Sequence, residues 1–360
     1  MACRHSYINM RKKIAIVAGG DQSELAVSLR SAAGIFSFID KEKYDLHIVT
    51  IVGTEWTVEH DGEKLPIDKN DFSFTTPSGD KYTFDFAYIT IHGVPGEDGK
   101  LQGYFDLIRL PYSCCGVLAA ALTFNKFFCN HYLNGFGIPI AKSIVLNKGE
   151  KVDEETIVSQ LGLPLFVKPN GGGSSYGTSK VKEATQLTQA VNAALVEGDQ
   201  VIIESFMNGT EITCGVYKTK EKSVVFPITE VVSKNEFFDT DAKYNGAVEE
   251  ITPARLSAEI TQKVQELTSK IYDLIGAKGI IRVDYIITEG DQINLLEVNT
   301  TPGMTATSFI PQQVRAAGLD IKDVMSDIIE NEFDVMFSRL IHSYEVRVVM
   351  SDIIENELNK

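Results

Sequence analysis

GIIRVDYIITEGDQINLLEVN, residues 279–299, decides the fold. Two β-rich runs, 279–288 and 293–299, flank Glu289-Gly290-Asp291-Gln292, and a Gly-Asp pair between such runs is a hairpin signal. With Gly290-Asp291 as a two-residue turn, Asp284 stands across from Glu297 and Arg282 across from Asn299. Residues two apart share a strand face. Arg282, Asp284, Glu297 and Asn299 therefore converge on one face, and Val283, Tyr285, Leu296 and Val298 point to the other. Opposed carboxylates repel unless a cation lies between them. Oxygen ligands of this kind suit Mg²⁺, which is held by one or two carboxylates together with substrate phosphates. The competing reading is an Arg/Asp/Glu salt-bridge cluster on a solvated sheet face. Thr300-Thr301-Pro302-Gly303-Met304-Thr305 follows directly and would bring backbone N–H groups and hydroxyls beside the cation.

Upstream, the pattern predicts a helix over 257–275, strands over 211–217 and 223–232, and an irregular stretch over 235–250. A loop of that length inside a compact domain is usually functional. Residues 123–203 read as a small α+β module: a helix around 125–133, strands at 140–146, 165–168 and 200–204, and a helix from Glu154. Its glycine-rich turn, Gly171 to Gly177, follows a strand ending in Lys168-Pro169. Small residues there let backbone N–H groups approach a phosphate, and the lysine adds a point charge. No Lys-Ser/Thr pair follows the last glycine, so the loop is not a Walker A sequence.

The N-terminal residues give a strand at 12–18, the turn Gly19-Gly20, a helix over 23–39, and buried strands at 44–52 and 84–92 around a polar, hairpin-like stretch from 57 to 82. This is a Rossmann-like open α/β sheet. The glycines do not spell G-x-G-x-x-G and no acidic residue closes a second strand, which argues against a dinucleotide site and a dehydrogenase. The chain has 360 residues and a net charge of −15, a balance that opposes nucleic acid and anionic membranes over any broad face. Five cysteines, odd in number and without metal-ligand spacing, read as reduced thiols in a cytoplasm. Residues 1–9 read as a leader outside the fold. At the other end VMSDIIENE, residues 324–332, recurs letter for letter at 349–357. The folded unit is expected to end near Phe333, with 334–360 a duplicated tail.

In order and spacing these motifs resemble the D-alanine–D-alanine ligases of the ATP-grasp superfamily over residues 12–332. The resemblance rests on Ala18-Gly19-Gly20 with Ser23-Glu24; His92-Gly93 with Gly96-Glu97-Asp98-Gly99; Lys168-Pro169 with Gly173-Ser174-Ser175. Lys243-Tyr244, Arg282-Val283-Asp284 and Leu296-Glu297-Val298-Asn299-Thr300 complete it. It implies a three-domain ATP-grasp fold, α/β and α+β: an N-terminal unit over 10–122, a central one over 123–203, and a C-terminal one over 204–333 carrying a mobile loop at 235–250. It also implies ATP and Mg²⁺ or Mn²⁺ as cofactors, D-alanine as substrate, a cytoplasmic homodimer, and a product used for peptidoglycan. Lys126 and Lys168 would hold the ATP phosphates, Glu204 and Glu211 the adenine and ribose edges, and Lys243 the γ-phosphate. Asp284, Glu297 and Asn299 match the metal ligands. Glu24, set with Ser174 and Tyr244, matches the group that holds the first ammonium. Arg282 and the Gly303 backbone match the oxyanion groups, and His92 and Ser308 the substrate contacts.

Two departures stand out. Ser205-Phe206-Met207 follows Glu204 where many members have a lysine, and Val94-Pro95 replaces an Arg- or Tyr-bearing stretch. Tyr244, rather than Phe, resembles the D-alanine-using members and not those that use D-lactate. The alternatives are a D-alanine–D-lactate or other ATP-grasp carboxylate–amine ligase, and a non-catalytic nucleotide-binding protein, which would be expected to have lost at least one of Arg282, Asp284, Glu297 and Asn299.

Overall fold

The computed structural model describes residues 11–21, 24–173, 176–233 and 248–335. The proposed leader and the second copy of the repeat lie outside the described residues.

The N-terminal strands are β1 (Lys12–Gly19), β2 (Tyr44–Val52), β3 (Glu55–His60), β4 (Glu63–Pro66), β5 (Phe74–Thr75), β6 (Lys81–Tyr82) and β7 (Phe86–Ile89). They form a sheet of order β4-β3-β2-β1-β7, parallel where β1 meets β2 and β7, with β5 and β6 as a separate ribbon. Ile14 to Ala18 are wholly buried, which is why the central strand is a continuous apolar run. Helix α1 (Leu25–Phe38) covers one face. Helices α2 (Lys100–Ile108) and α3 (Val117–Phe124) were not legible in the sequence: α2 carries Gly103 mid-helix, and VLAAALTF is too uniformly apolar to show a period. The strand expected at 84–92 is ladder-paired only over β7.

In the middle of the chain come α4 (Lys126–Asn134), β8 (Ser143–Asn147), α5 (Glu154–Leu161), β9 (Leu165–Pro169), β10 (Ser179–Val181), α6 (Leu187–Ala194) and β11 (Gln200–Ser205). Asn125 caps α4 by accepting from the Phe128 N–H. The sheet, β10-β9-β11-β8, is antiparallel and encloses its own core around Leu165, Val167 and Ile203. The strand expected from residue 140 starts three residues later, because Ile140 instead bridges in parallel to Leu295 of the next sheet.

That sheet runs β15-β14-β12-β16-β17, with β13 also on β12, from β12 (Gly209–Lys218), β13 (Ser223–Val225), β14 (Thr229–Ser233), β15 (Val248–Ile251), β16 (Ile280–Thr288) and β17 (Gln292–Asn299). The single strand expected over 223–232 is two, broken where Phe226 turns into the core. Residues 248–250, expected to be irregular, belong to β15; 234–247 lie outside the described residues. Helix α7 (Ala258–Leu274) lies one residue inside the predicted bounds at each end, with Ser257 capping it and Val264, Thr268 and Ile271 buried at helical spacing. Helix α8 (Phe309–Ala316) and a helix over 321–335 pack with α1 against the N-terminal sheet.

The hairpin differs from the expected one in an instructive way. Thr288 pairs with Gln292, so the loop is three residues, Glu289 to Asp291, with Gly290 at φ 77° and Asp291 at φ 59°. That alone would move every later pair by one. A β-bulge then places Leu296 as an extra residue, and Asp284 returns opposite Glu297 and Arg282 opposite Asn299. The polar face is as the sequence predicts, but Leu295, not Leu296, joins the core.

Candidate functional site

A cleft of about 1050 Å³ opens between the three sheets. Its floor is the β16–β17 face. Arg282 grips Asp284 with two parallel bonds, Nε to Oδ1 and Nη2 to Oδ2, both 2.8 Å. Asp284 also accepts from the Thr213 hydroxyl at 2.5 Å and from Asn299 Nδ2 at 3.0 Å. Asn299 Nδ2 lies 3.5 Å from Glu297 Oε1, and Glu297 Oε2 is 3.6 Å from Lys126 Nζ. Burial would discharge Arg282, but the Asp284 carboxylate beside it overcomes this and holds its pKa above the usual range.

These residues fit a divalent cation. Asn299 is in contact with both carboxylates, and turning its amide over would present a third oxygen to the same point. The salt-bridge part of the sequence reading is present on this face, where Arg282 pairs with Asp284 at 2.8 Å; Glu297 makes the longer contact to Lys126 at 3.6 Å.

One wall comes from β9 and β11. Lys168 and Glu204 sit on diagonal positions of the ladder, with Nζ 2.6 Å from Oε2, and are 8% and 4% exposed. Burial alone would lower the lysine's pKa; the Glu204, Glu297 and Glu211 carboxylates raise it instead, so it stays charged. Lys126, the first residue of α4, donates to the Gly172 carbonyl and so leans over the glycine loop.

The opposite wall is N-terminal. Glu24, buried just before α1, brings its carboxylate against Gly173, where a Cβ would lie 3.0 Å and 3.2 Å from its two oxygens. His92 Nε2 is 3.3 Å from the Ser31 hydroxyl. Glu97 accepts from the Gly93 N–H at 2.8 Å, and burial followed by repulsion from Glu24 pushes its pKa up to about 8. The 300–308 turn closes the end. Ser308 is the N-cap residue of α8 but its side chain makes no capping bond; its hydroxyl accepts from the Thr305 N–H at 3.1 Å and meets the Thr305 hydroxyl at 2.8 Å, beside Gly303. The turn is seated on α1 at Gly34, where any Cβ would meet the Met304 carbonyl at 2.2 Å.

The cleft thus collects Glu24, His92, Lys126, Lys168, Glu204 and Glu211 with Arg282, Asp284, Glu297, Asn299, Gly303 and Ser308. Ser174, Lys243 and Tyr244 lie outside the described residues. Among the lining residues that the sequence reading did not assign are Glu97, Thr213 and Leu296. Glu97 is unremarkable in sequence because the carboxylate that perturbs it is far away in the chain; only its glycine-flanked motif marked it. Thr213 acts across the β12–β16 ladder, and Leu296 reaches the cleft through the bulge. Phe166 and Phe206, whose rings lie 6.0 Å apart, add apolar lining where the sequence departs from its family pattern.

Residues 13–115 match the family described as "D-ala D-ala ligase N-terminus" and residues 132–330 that described as "D-ala D-ala ligase C-terminus". A D-alanine–D-alanine ligase of Bacteroides fragilis is 68% identical over 325 residues, covering 90% of this chain and 100% of the relative. The structure of the D-alanine–D-alanine ligase from Coxiella burnetii is similar with a TM-score of 0.81 at 26% identity, covering 94% of this chain and 99% of that one. That of D-alanine–D-alanine ligase from Bacillus anthracis complexed with ATP is similar with a TM-score of 0.72 at 28% identity, covering 91% and 99%.

Proposed function

The chain belongs to the D-alanine–D-alanine ligase family of ATP-grasp enzymes and joins two D-alanines in an ATP-dependent reaction of peptidoglycan synthesis, and from that premise we propose how its cleft performs the reaction. A carboxylate is a poor acyl donor, so the first D-alanine accepts the γ-phosphoryl group of ATP to become an acyl phosphate. The amine of the second attacks it through a tetrahedral intermediate that expels phosphate.

Glu24 binds the first ammonium. Glu97 stands beside it on that wall, its pKa raised to about 8 by burial and by the Glu24 carboxylate. Lys126 and Lys168 take the ATP phosphates, and Glu204 and Glu211 the adenine and ribose edges. Asp284, Glu297 and Asn299 would hold Mg²⁺ or Mn²⁺, which when bound offsets the phosphate charge as two anions are brought together. Arg282 and the Gly303 N–H face the developing oxyanion, and His92 and Ser308 contact substrate. Ser174, Lys243 and Tyr244 complete the set. A closed loop over 235–250 would keep water from the acyl phosphate.

The observation that carries this reading is the convergence of Arg282, Asp284, Glu297 and Asn299 with two lysines in one cleft, at the upper end of the size usual for ligand sites. Phosphate release from ATP and Mg²⁺, with and without D-alanine, tests it on wild type and on Glu297→Ala. Release should depend on D-alanine and fall by at least about 100-fold in the variant. D-alanine-independent release would move the substrate elsewhere, and activity retained in the variant would remove Glu297 from the cation site.

The same reading extends to units over 10–122, 123–203 and 204–333, to cytoplasmic location and to a homodimer. Supporting the last, Leu107 on α2 and Val117 and Leu118 on α3 are exposed on helices that touch at Gly103. Among the described residues no helix is long and apolar enough to cross a membrane.

A further inference from the structure

The helix over 321–335 lies in a seat that reads its sequence closely. Val324, Met325, Ile328 and Ile329 are at most 3% exposed and join Ile14, Ile35, Tyr44 and Phe86 in one core. The polar positions are read as well. Asp327 accepts from the Tyr217 hydroxyl at 2.8 Å and pairs with Lys222. Glu330 accepts from the Tyr44 hydroxyl at 2.7 Å and pairs with Lys12. Asn331 accepts from the Lys220 N–H at 2.9 Å, and Glu332 pairs with Lys278 at 2.9 Å.

All of these residues belong to VMSDIIENE, which residues 349–357 repeat without change. The likeness runs past the identity. Asp320-Ile321-Lys322 aligns with Glu345-Val346-Arg347, and Phe333 with Leu358, so the cation that pairs with Asp40 and the flanking apolar positions keep their character. Only Asp323 against Val348 changes class inside the helix before the repeat.

We propose that residues 349–357 are a second occupant of this seat, able to replace residues 324–332 within the same chain. Seven residues (317–323) connect the end of α8 to the first copy, and 32 (317–348) connect it to the second. Loop closure disfavours the longer tether by only about tenfold, so the first copy holds the seat in the native chain and the second takes it once the first is disabled.

The full-length chain tests this with Ile328→Asp/Ile329→Asp, with Ile353→Asp/Ile354→Asp, and with all four substitutions. The second pair should leave Tm unchanged, the first should lower it by about 5 °C or less, and all four should abolish cooperative unfolding. A first-copy variant as damaged as the fourfold one would overturn the proposal. Methionine methyl NMR gives an independent reading: in Ile328→Asp/Ile329→Asp the Met350 methyl should move to a buried position, and a solvent-like shift would refute the replacement. A Tm more concentration-dependent than wild type's would put the second copy on a neighbouring chain and refute exchange within one chain.

Discussion

Lys168 and Glu204 show what the cleft demands of single residues. Two nearly buried charges at 2.6 Å hold each other in the ionised state, and removing one strands the other. Lys168→Met should therefore cost about 3–5 kcal/mol of stability, measured by denaturant unfolding, whereas Lys168→Met/Glu204→Leu should recover most of it. Both variants should be inactive, which separates the pair's structural part from its proposed contact with phosphate. Glu97 gives a pH signature. Its carboxyl keeps a proton to about pH 8 in the folded chain, while the unfolded chain releases it near the ordinary glutamate value of 4.5. The native state thus binds the extra proton between these values, and ligand-free stability should fall as pH rises through that window, with a slope below about 1.4 kcal/mol per pH unit. Glu97→Gln should flatten this part of the profile; an unchanged slope would assign it to another group. Lys168 was legible because a cation ending a strand before glycines has few other uses. Glu97 was not, because its perturbation comes from Glu24 across a tertiary contact.

At the scale of elements, local signals read well where one residue carries them. Ser257 and the 3–4 spacing after it set α7 to its observed bounds, and the continuous apolar run of β1 was plain. The hairpin shows where such reading fails. A Gly-Asp pair announces a turn without stating its length, and the bulge that compensates has no signature of its own in Leu295-Leu296. The bulge has a chemical result: Leu296 presents an apolar surface to the cleft beside Glu297. Leu296→Ala should raise KM for ATP by roughly tenfold, the loss of a few buried methyl groups, while KM for D-alanine stays within about twofold. An equal rise in both would show that Leu296 supports the floor and does not line the nucleotide's place.

For the whole molecule, the distribution of cores matters more than the net charge that the sequence advertises. The cluster around Ile14, Phe86 and Ile280 joins the N-terminal sheet to α8 and the 321–335 helix, whereas the central sheet closes on its own residues. No sequence pattern announces which apolar faces will meet across 300 residues. Hydrogen exchange should accordingly find β8, β9 and β11 opening independently of β1, β2 and β12, with protection of the central strands rising on addition of ATP. A single common opening free energy for all six strands would contradict this. The seating of the 300–308 turn on α1 at Gly34 belongs to the same shared core, and Glu24 sits just before that same helix. The groups proposed to face the amino end of one substrate and its reacting carbonyl are therefore mounted on a common beam, separate from the central sheet proposed to carry the nucleotide. Such a caliper fixes the span between an α-amine and its carboxyl carbon, so a β-amino acid would be rejected by length before any phosphoryl group is offered.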